Sequence, residues 1–166
     1  MPHAHPPLSS TYSKSTNSQA LAKRKARLTT TTHSPNNSSS SARIIVADDH
    51  DLVREAMRSL LNIAPDLGVI DEAKDGQETI ELTRLQRPDL VLTDVRMPTV
   101  NGFEATRTIK EELPTTKVLI MSAYEDPLFV SEAVRAGADG YVLKLSPVQE
   151  LVDAIRGVLG GESHYP

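Results

Sequence analysis

From residue 43 onward the sequence alternates between two hydrophobic periods, and this alternation constrains the fold more than any other feature. Short apolar runs typical of buried strands lie at 44–47, 69–70, 90–92, 118–121 and 141–143. The segments between them carry apolar residues at helical spacing. Strands that alternate with helices of about 10 to 15 residues predict parallel strands joined by helical crossovers. We therefore predict one doubly wound α/β domain with a five-stranded parallel sheet, whose second strand lies at an edge.

Local signals refine the helix boundaries. Ser146, Pro147 and Gln149 fit an N-cap, a first-turn proline and a capping box for the last helix. Gly137 fits the end of the fourth helix. The helix over 76–86 has the weakest pattern, since it depends mainly on Ile80 and Leu85.

Residues 1–42 differ from the rest in composition and charge. They are rich in Ser, Thr, Pro and Asn, and they hold five basic residues and no acid. So little apolar material cannot offset the entropy of ordering, which predicts a disordered basic tail. The Ser-rich, acid-free composition also resembles a transit peptide, but a flexible tail or a start codon assigned too far upstream fits better. The predicted domain spans 43–160, and 161–166 would begin a truncated linker.

Bulk properties exclude several classes. The chain has no cysteine, which rules out disulfides, thiolate metal sites and cysteine nucleophiles. No apolar run approaches the roughly 18 to 20 residues that cross a bilayer, so we expect a cytoplasmic protein without a membrane partner. Because the whole chain carries −4 and residues 1–42 carry +5, residues 43–166 carry −9. Such an acidic domain is poorly suited to binding the phosphate backbone of nucleic acids by itself.

Polar residues follow every predicted strand, but Asp71 and Glu72 follow the second, which is predicted to lie at an edge; the other four strands supply the candidate site. The candidate residues are Asp48 and Asp49 after the first, Asp94 after the third, Ser122 after the fourth and Lys144 after the fifth. In open parallel sheets, ligands bind beyond the carboxyl ends of the strands, where these side chains would meet.

Each residue also has an ordinary interpretation. Asp48, Asp49 or Asp51 could cap the first helix, and Asp94 could form an Asx-turn. Ser122 could be a turn hydroxyl, and Lys144 a solvated side chain. The convergence of four strand ends nevertheless favours a shared site over four separate coincidences.

The composition of this set indicates phosphoryl chemistry. Three carboxylates against one ammonium would recruit a divalent cation, and oxygen ligands without a convincing His or Cys favour Mg²⁺ over Zn²⁺. His50 adjoins the acids, but one imidazole is a weak metal signal, and we assign it to the surface or the helix start. The nucleophile would be a carboxylate. No glycine-rich phosphate loop follows the first strand, so a nucleotide site is not expected.

Four stretches match a known family: V-A-D-D-H at 46–50, T-D-V-R-M-P-x-x-N-G at 93–102, M-S-A at 121–123 and A-G-A-D-G-Y-V-L-K at 136–144. Residues 43–160 resemble the receiver domain of bacterial two-component response regulators, in particular the NarL/FixJ branch. The resemblance implies a flavodoxin-like (βα)5 fold with strand order 2-1-3-4-5. It also implies a signalling phosphoacceptor whose only chemistry is its own phosphorylation and dephosphorylation.

The resemblance assigns the site by position. Asp94 would accept a phosphoryl group from a sensor histidine kinase. Mg²⁺ would be bound directly by Asp49, partly through water by Asp48, and by Asp94 and the backbone carbonyl of Arg96.

The same resemblance assigns the phosphoryl-binding and switch residues. Lys144 and Ser122 would bind the phosphoryl oxygens, and Tyr141 would be the switch aromatic that moves inward as Ser122 shifts. Gly102 would provide an unusual backbone angle in the loop after Asp94.

The sequence also departs from the family pattern. Leu145 follows the lysine where many receivers have proline. Relatives usually continue into a LuxR-type helix-turn-helix domain, and no recognition helix is present here. The chain would thus be a truncated transcriptional regulator, able to bind DNA only through a missing domain, or a stand-alone receiver acting through protein contacts. A homodimer is possible in either case.

Two further hypotheses stay open. One is a haloacid-dehalogenase-type phosphatase, disfavoured because Arg96 stands where those enzymes carry a second aspartate. The other is a binding module that is never phosphorylated, which the intact set of acids, hydroxyl and lysine disfavours.

Overall fold

The computed structural model describes residues 40–166, which form five strands and five helices in strict alternation. In chain order these are β1 (Ala42–Ala47), α1 (Asp51–Leu61), β2 (Leu67–Ala73), α2 (Gly76–Gln86), β3 (Leu90–Asp94), α3 (Gly102–Glu112), β4 (Lys117–Ser122), α4 (Pro127–Ala136), β5 (Gly140–Leu143) and α5 (Val148–Leu159). The predicted tail lies outside the described residues except for 40–42, and Ala42 already begins β1. The limits of the domain remain a prediction.

The five strands form one parallel sheet in the order β2-β1-β3-β4-β5. This confirms the predicted flavodoxin-like (βα)5 fold and the edge position of the second strand. β3 lies at the centre, where Val46 aligns with Leu92 and Asp94 with Met121. The central strands are continuous apolar runs because helices cover both faces of the sheet.

Alternate residues of each strand face different helices. On one face, Val46, Leu92 and Leu119 pack with α1 and α5, through Leu61 and Ile155 among others. The opposite face is shared by α2, α3 and α4; its buried strand residues include Ile45, Val91, Val118, Ile120 and Tyr141. No helix within residues 40–166 is long and apolar enough to cross a membrane.

The helix boundaries confirm some local predictions and correct others. Gly137 ends α4 in the left-handed conformation, with φ of 82°. The capping box predicted for the last helix is wrong: Pro147 is itself the N-cap, and no side chain caps α5. The Ser146 hydroxyl lies one position too early to cap and donates to Glu150 instead, at 3.1 Å.

A capping box does occur at α3. The Asn101 side chain accepts from the backbone N–H of Glu104 at 3.0 Å, and the Glu104 carboxylate accepts from the backbone N–H of Asn101 at 3.2 Å. The weakly patterned helix over 76–86 is also confirmed. It begins after Asp75, whose side chain accepts from the backbone N–H of Glu78.

The loop between β3 and α3 corrects the role predicted for Gly102. The unusual angle belongs to Thr99, with φ of 68°, where the N–H of Val100 donates to the carbonyl of Pro98 at 2.8 Å in a γ-turn. Gly102 is required for a different reason, because a Cβ there would lie 2.0 Å from the carbonyl oxygen of Asp94. Glycine therefore permits α3 to start directly against the end of β3.

Candidate functional site

Three predicted site residues meet at the carboxyl end of the sheet. Asp94 ends β3, Asp48 follows β1 and Lys144 follows β5. The Lys144 ammonium lies 2.5 Å from Oδ2 of Asp48 and 3.2 Å from Oδ1 of Asp94. The solvated-lysine interpretation is wrong, since this side chain is only 17% exposed. The fold has brought one cation against two acids that lie 96 and 50 positions away along the chain.

Asp94 is held in an environment that opposes its charge. The residue is 5% exposed. Burial raises the pKa of Asp94; the Lys144 charge and hydrogen bond counteract this only in part, and the neighbouring Asp48 charge raises the pKa further. Two carboxylates share one ammonium, so the cluster retains excess negative charge when its groups are ionised. An additional cation at this end of the sheet would relieve that excess.

The surroundings of Lys144 favour the charged form of its side chain. Burial alone would lower its pKa, but the hydrogen bond to Asp48 and the charges of Asp94 and Asp48 raise it above the ordinary value. The ammonium is therefore kept charged and fixed beside Asp94.

Asp48 and Asp49 form a second part of the site with His50. Nδ1 of His50 lies 2.7 Å from Oδ1 of Asp49 and 3.1 Å from Oδ1 of Asp48, and one ligand atom from each residue fits within 4.8 Å. The imidazole thus lies closer to the acids than its sequence position suggested. The helix-capping interpretation of the acids is wrong, because His50 is the N-cap of α1 and has no side-chain cap.

The donor set fits the predicted metal. The carboxylates of Asp48 and Asp49 supply hard oxygen ligands, and Asp94 lies close enough to Asp48 for the two charges to interact. Asp48 is fully buried, whereas the Asp49 side chain is 35% exposed and reachable from solvent. One acid is fixed and the other accessible, an arrangement compatible with a cation that enters from the surface.

Ser122 ends β4 and Tyr141 is the second residue of β5, and both are fully buried. The Ser122 hydroxyl accepts from the backbone N–H of Tyr124 at 3.1 Å, so in this conformation it is the turn hydroxyl of the ordinary interpretation. The Tyr141 hydroxyl donates to the backbone carbonyl of Tyr124 at 2.5 Å. Burial raises the pKa of Tyr141, and a contact with the Ser122 side chain opposes that rise. Tyr141 therefore occupies an inward position, joined to Ser122 through Tyr124.

Sequence reasoning missed two contributors. The Arg54 guanidinium is 13% exposed and donates to the backbone carbonyl of Asp48 at 2.6 Å, which fixes the end of β1. The Tyr124 ring stacks on Phe129 with centroids 5.4 Å apart, and the guanidinium carbon of Arg96 lies 4.5 Å from its centroid. A polar residue one turn into α1 could have suggested Arg54, but no sequence signal indicates the aromatic stack.

Comparison with known proteins gives a consistent result. A family model described as the response regulator receiver domain matches residues 44–156. The chain is 43% identical over 123 residues to the uncharacterised transcriptional regulatory protein YxjL of Bacillus subtilis, a match covering 74% of this chain and 56% of that relative. It thus spans little more than half the length of such curated relatives.

Two solved structures share the fold closely. The receiver domain of the putative response regulator NarL from Mycobacterium tuberculosis has a TM-score of 0.72 and 34% identity, covering 74% of this chain and 99% of that one. A LuxR-family two-component response regulator from Aurantimonas sp. has a TM-score of 0.73 and 40% identity, covering 75% and 89%. Sequence, fold and site agree that this chain belongs to the response regulator receiver domain family, among relatives of the NarL/LuxR type.

Proposed function

We propose that this chain is a phosphorylation-controlled signalling switch, in which Asp94 accepts a phosphoryl group from the phosphohistidine of a sensor histidine kinase. The observation that carries the proposal is the bridge from Lys144 to both Asp48 and Asp94 at the centre of the sheet. The buried carboxylate that would act as the nucleophile lies beside a fixed cation, and this arrangement supports phosphoryl transfer.

In the proposed reaction, an Asp94 oxygen forms a bond to phosphorus while the bond from phosphorus to the kinase histidine breaks. Lys144 pairs with the phosphoryl oxygens, and Ser122 exchanges its bond from the Tyr124 N–H for one to a phosphoryl oxygen. Asp49, Asp48, Asp94 and the backbone carbonyl of Arg96 would hold Mg²⁺, Asp48 partly through water. When bound, the ion would neutralise negative charge on the phosphoryl group.

Tyr141 would be the switch residue, whose position depends on whether Asp94 is phosphorylated. A phosphoryl group adds about −1.5 to −2 charge and strong acceptor oxygens, to which Ser122 can respond. Tyr141 would respond because both residues bond the backbone of Tyr124, whose N–H donates to Ser122 and whose carbonyl accepts from Tyr141, so release of that N–H by Ser122 changes the loop that holds Tyr141. In the proposed switch, phosphorylation favours the inward position of Tyr141 and thereby alters the surface of α4, β5 and α5.

The downstream effect of the proposed switch is inferred from the relatives and not from this site. YxjL is named a transcriptional regulatory protein, and the match covers 56% of it. We propose a transcriptional response regulator of the cytoplasm, with homodimerisation and with DNA contacts made by a helix-turn-helix domain outside the matched region. Direct signalling through protein contacts is the alternative output.

Arg96 supports a switch over a turnover phosphatase. A phosphatase of the haloacid-dehalogenase type needs a general acid at this position, whereas a guanidinium does not release its proton in proteins. Here Arg96 instead stacks on the ring of Tyr124.

The test uses acetyl phosphate and Mg²⁺. The chain should acquire one acid-stable, hydroxylamine-labile phosphate, and Asp94→Asn should abolish it. Asp139→Asn is the matched control, because it makes the same change in a partly buried, lysine-paired aspartate at the other end of the sheet and should still be labelled. Labelling of Asp94→Asn, or no Mg²⁺-dependent labelling of the native chain, would contradict the proposal.

A further inference from the structure

The segment after α5 turns back and lies along the outer edge of β5. α5 is followed by Gly161, with φ of 95°, and the N–H of Glu162 donates to the carbonyl of Gly157 at 2.9 Å, which closes the reversal. His164 then pairs in parallel with Gly140. Residues 163–166, which we call the edge strap, thus cover a strand edge that would otherwise expose unpaired backbone groups.

Backbone hydrogen bonds attach the edge strap at two points. The N–H of Tyr141 donates to the carbonyl of His164 at 2.7 Å, and the N–H of His164 donates to the carbonyl of Asp139 at 3.2 Å. A Cβ at Gly140 would lie 2.7 Å from the His164 oxygen, so glycine at this position leaves room for the strap.

Two side chains of the strap, those of His164 and Tyr165, are partly buried against the rest of the domain. The Tyr165 ring packs on a buried cluster that includes Val95, Ile120 and Tyr141, and its hydroxyl donates to the carbonyl of Ala138 at 2.5 Å. Pro166 lines a cavity of about 280 Å³ with Asp126 and Val130, beside the loop that carries Tyr124. The strap therefore runs from the start of β5 toward the β4–α4 loop.

Tyr141 connects the strap to the candidate site. Its backbone N–H bonds the strap, its hydroxyl bonds the carbonyl of Tyr124, and the N–H of Tyr124 bonds the Ser122 hydroxyl. Three hydrogen bonds thus lead from His164 to a proposed phosphoryl ligand. In this structure the docked strap occurs together with the inward position of Tyr141, and Tyr165 packs on the buried cluster to which Tyr141 belongs.

We propose that the edge strap is a cis-acting docking element that stabilises the inward position of Tyr141, so that strap docking and phosphoryl binding at Asp94 favour one another. The docking itself rests on the contacts above, and the coupling rests on the proposed function. Since coupling between two sites is reciprocal, loosening the strap must weaken phosphoryl binding by the same factor by which phosphoryl binding tightens the strap.

Amide hydrogen exchange tests the docking. The Tyr141 N–H points to the strap and not to β4, so its exchange rate in the ¹⁵N-labelled full chain reports docking directly. Tyr165→Ala should accelerate exchange at Tyr141 by about tenfold or more, equivalent to losing a modest packing contact. Tyr165→Phe is the matched control, since it keeps the ring and should accelerate exchange much less. Equal exchange at Tyr141 in the native chain and Tyr165→Ala would overturn the docking.

Beryllofluoride with Mg²⁺, a phosphoryl mimic, tests the coupling. Tyr165→Ala should bind it about fivefold or more weakly, and Tyr165→Phe should stay close to the native chain. Arg84→Ala, which removes an exposed ion pair with Glu112 between α2 and α3, is a control far from the strap in sequence and should bind normally. Native affinity in Tyr165→Ala, despite faster exchange at Tyr141, would overturn the coupling. Failure of the native chain to bind would overturn the coupling together with the proposed function, and the exchange experiment would still decide the docking.

Discussion

Two clusters of aspartate and lysine lie at opposite ends of the same parallel sheet, and they differ in one respect. At the carboxyl end, Asp48 and Asp94 share Lys144. At the amino end, Lys110 and Lys117 share Asp139. The same residue types occur in opposite proportions, which reverses the sign of the excess charge. The comparison separates a cluster that stabilises the fold from one that retains unsatisfied charge.

The amino-end cluster satisfies its carboxylate completely. Oδ2 of Asp139 accepts from Lys110 at 3.0 Å and from the backbone N–H of Val118 at 2.9 Å, while Oδ1 accepts from Lys117 at 3.2 Å. Burial alone would raise the pKa of Asp139, but these hydrogen bonds and charges hold it below the ordinary value. The folded state therefore favours the ionised carboxylate.

In the carboxyl-end cluster, by contrast, the folded state disfavours the ionised form of Asp94. Burial and the neighbouring Asp48 raise the pKa of Asp94, so the folded state disfavours the charged form that the proposed nucleophile would need. Proteins commonly sacrifice stability at functional sites, where groups are placed for a ligand that arrives later. The difference between the two ends is thus a difference between a completed ion network and one whose excess negative charge a cation could offset.

The largest expected effect is the loss of Asp139. Asp139→Ala should lower the free energy of unfolding by about 2–3 kcal/mol, because it leaves the Val118 N–H without its acceptor and two partly buried ammonium groups without their counter-charge. Urea unfolding followed by circular dichroism measures this change. Asp153→Ala, at a side chain that is 61% exposed, is the control and should stay within about 0.5 kcal/mol of the native chain. Similar losses in both variants would show that the Asp139 network is not stabilising.

Neutralising the acid at the other end should have the opposite sign. Asp94→Asn should raise the free energy of unfolding by about 1 kcal/mol, because it removes a buried charge with incomplete compensation. Asp139→Asn, with the same change of atoms, should lower it. The urea unfolding curves are recorded in EDTA, so that no divalent cation stabilises the native cluster. If both variants shift stability in the same direction, the two clusters are electrostatically alike and the comparison fails.

Acid titration sharpens the comparison at the amino end. The pKa of Asp139 is lower in the folded chain than its ordinary value of 3.8. The unfolded chain therefore binds the proton first, and the stabilisation is complete well above pH 3.8 and declines as the pH falls through the folded-state pKa. The stability difference between the native chain and Asp139→Asn should be constant from about pH 7 to 5 and shrink below about pH 4. A difference that grows on acidification would contradict the assigned direction.

Much of the fold was predictable because periodicity reports burial. Strands covered on both faces require continuous apolar runs, so 44–47, 90–92 and 118–121 identified the central strands correctly. Helix starts were less predictable, since a few local residues decide them. Ser146 has the right chemistry for a cap, yet the extended backbone of Pro147 moves the start of α5 one residue beyond its reach.

The site was predictable as a set of strand ends but not as a set of contacts. Parallel strands have their carboxyl ends at the same end of the sheet, and this rule predicted that Asp48, Asp94 and Lys144 lie together. The structure confirms it. The rule could not indicate that His50 would lie against Asp48 and Asp49, or that the backbone of Tyr124 would join Ser122 to Tyr141. Those contacts depend on loop conformation and on rings that meet only after folding. The catalytic and switch roles of these residues remain predictions.

The smallest expected effects concern backbone strain, which also differs between the two ends. Thr99, near the candidate site, and Arg87, at the end of α2, are the described non-glycine residues with positive φ, at 68° and 47°. Thr99→Gly should raise the free energy of unfolding by somewhat less than about 1 kcal/mol, because relief of left-handed strain exceeds the added entropy of the unfolded glycine. Arg87→Gly should raise the free energy of unfolding by a smaller amount, since an unbranched side chain tolerates this conformation better than threonine does. Thermal or urea unfolding of the two variants compares the gains. A loss in Thr99→Gly would show that the exposed threonine makes compensating interactions, and that strain is not concentrated at the site end of the sheet.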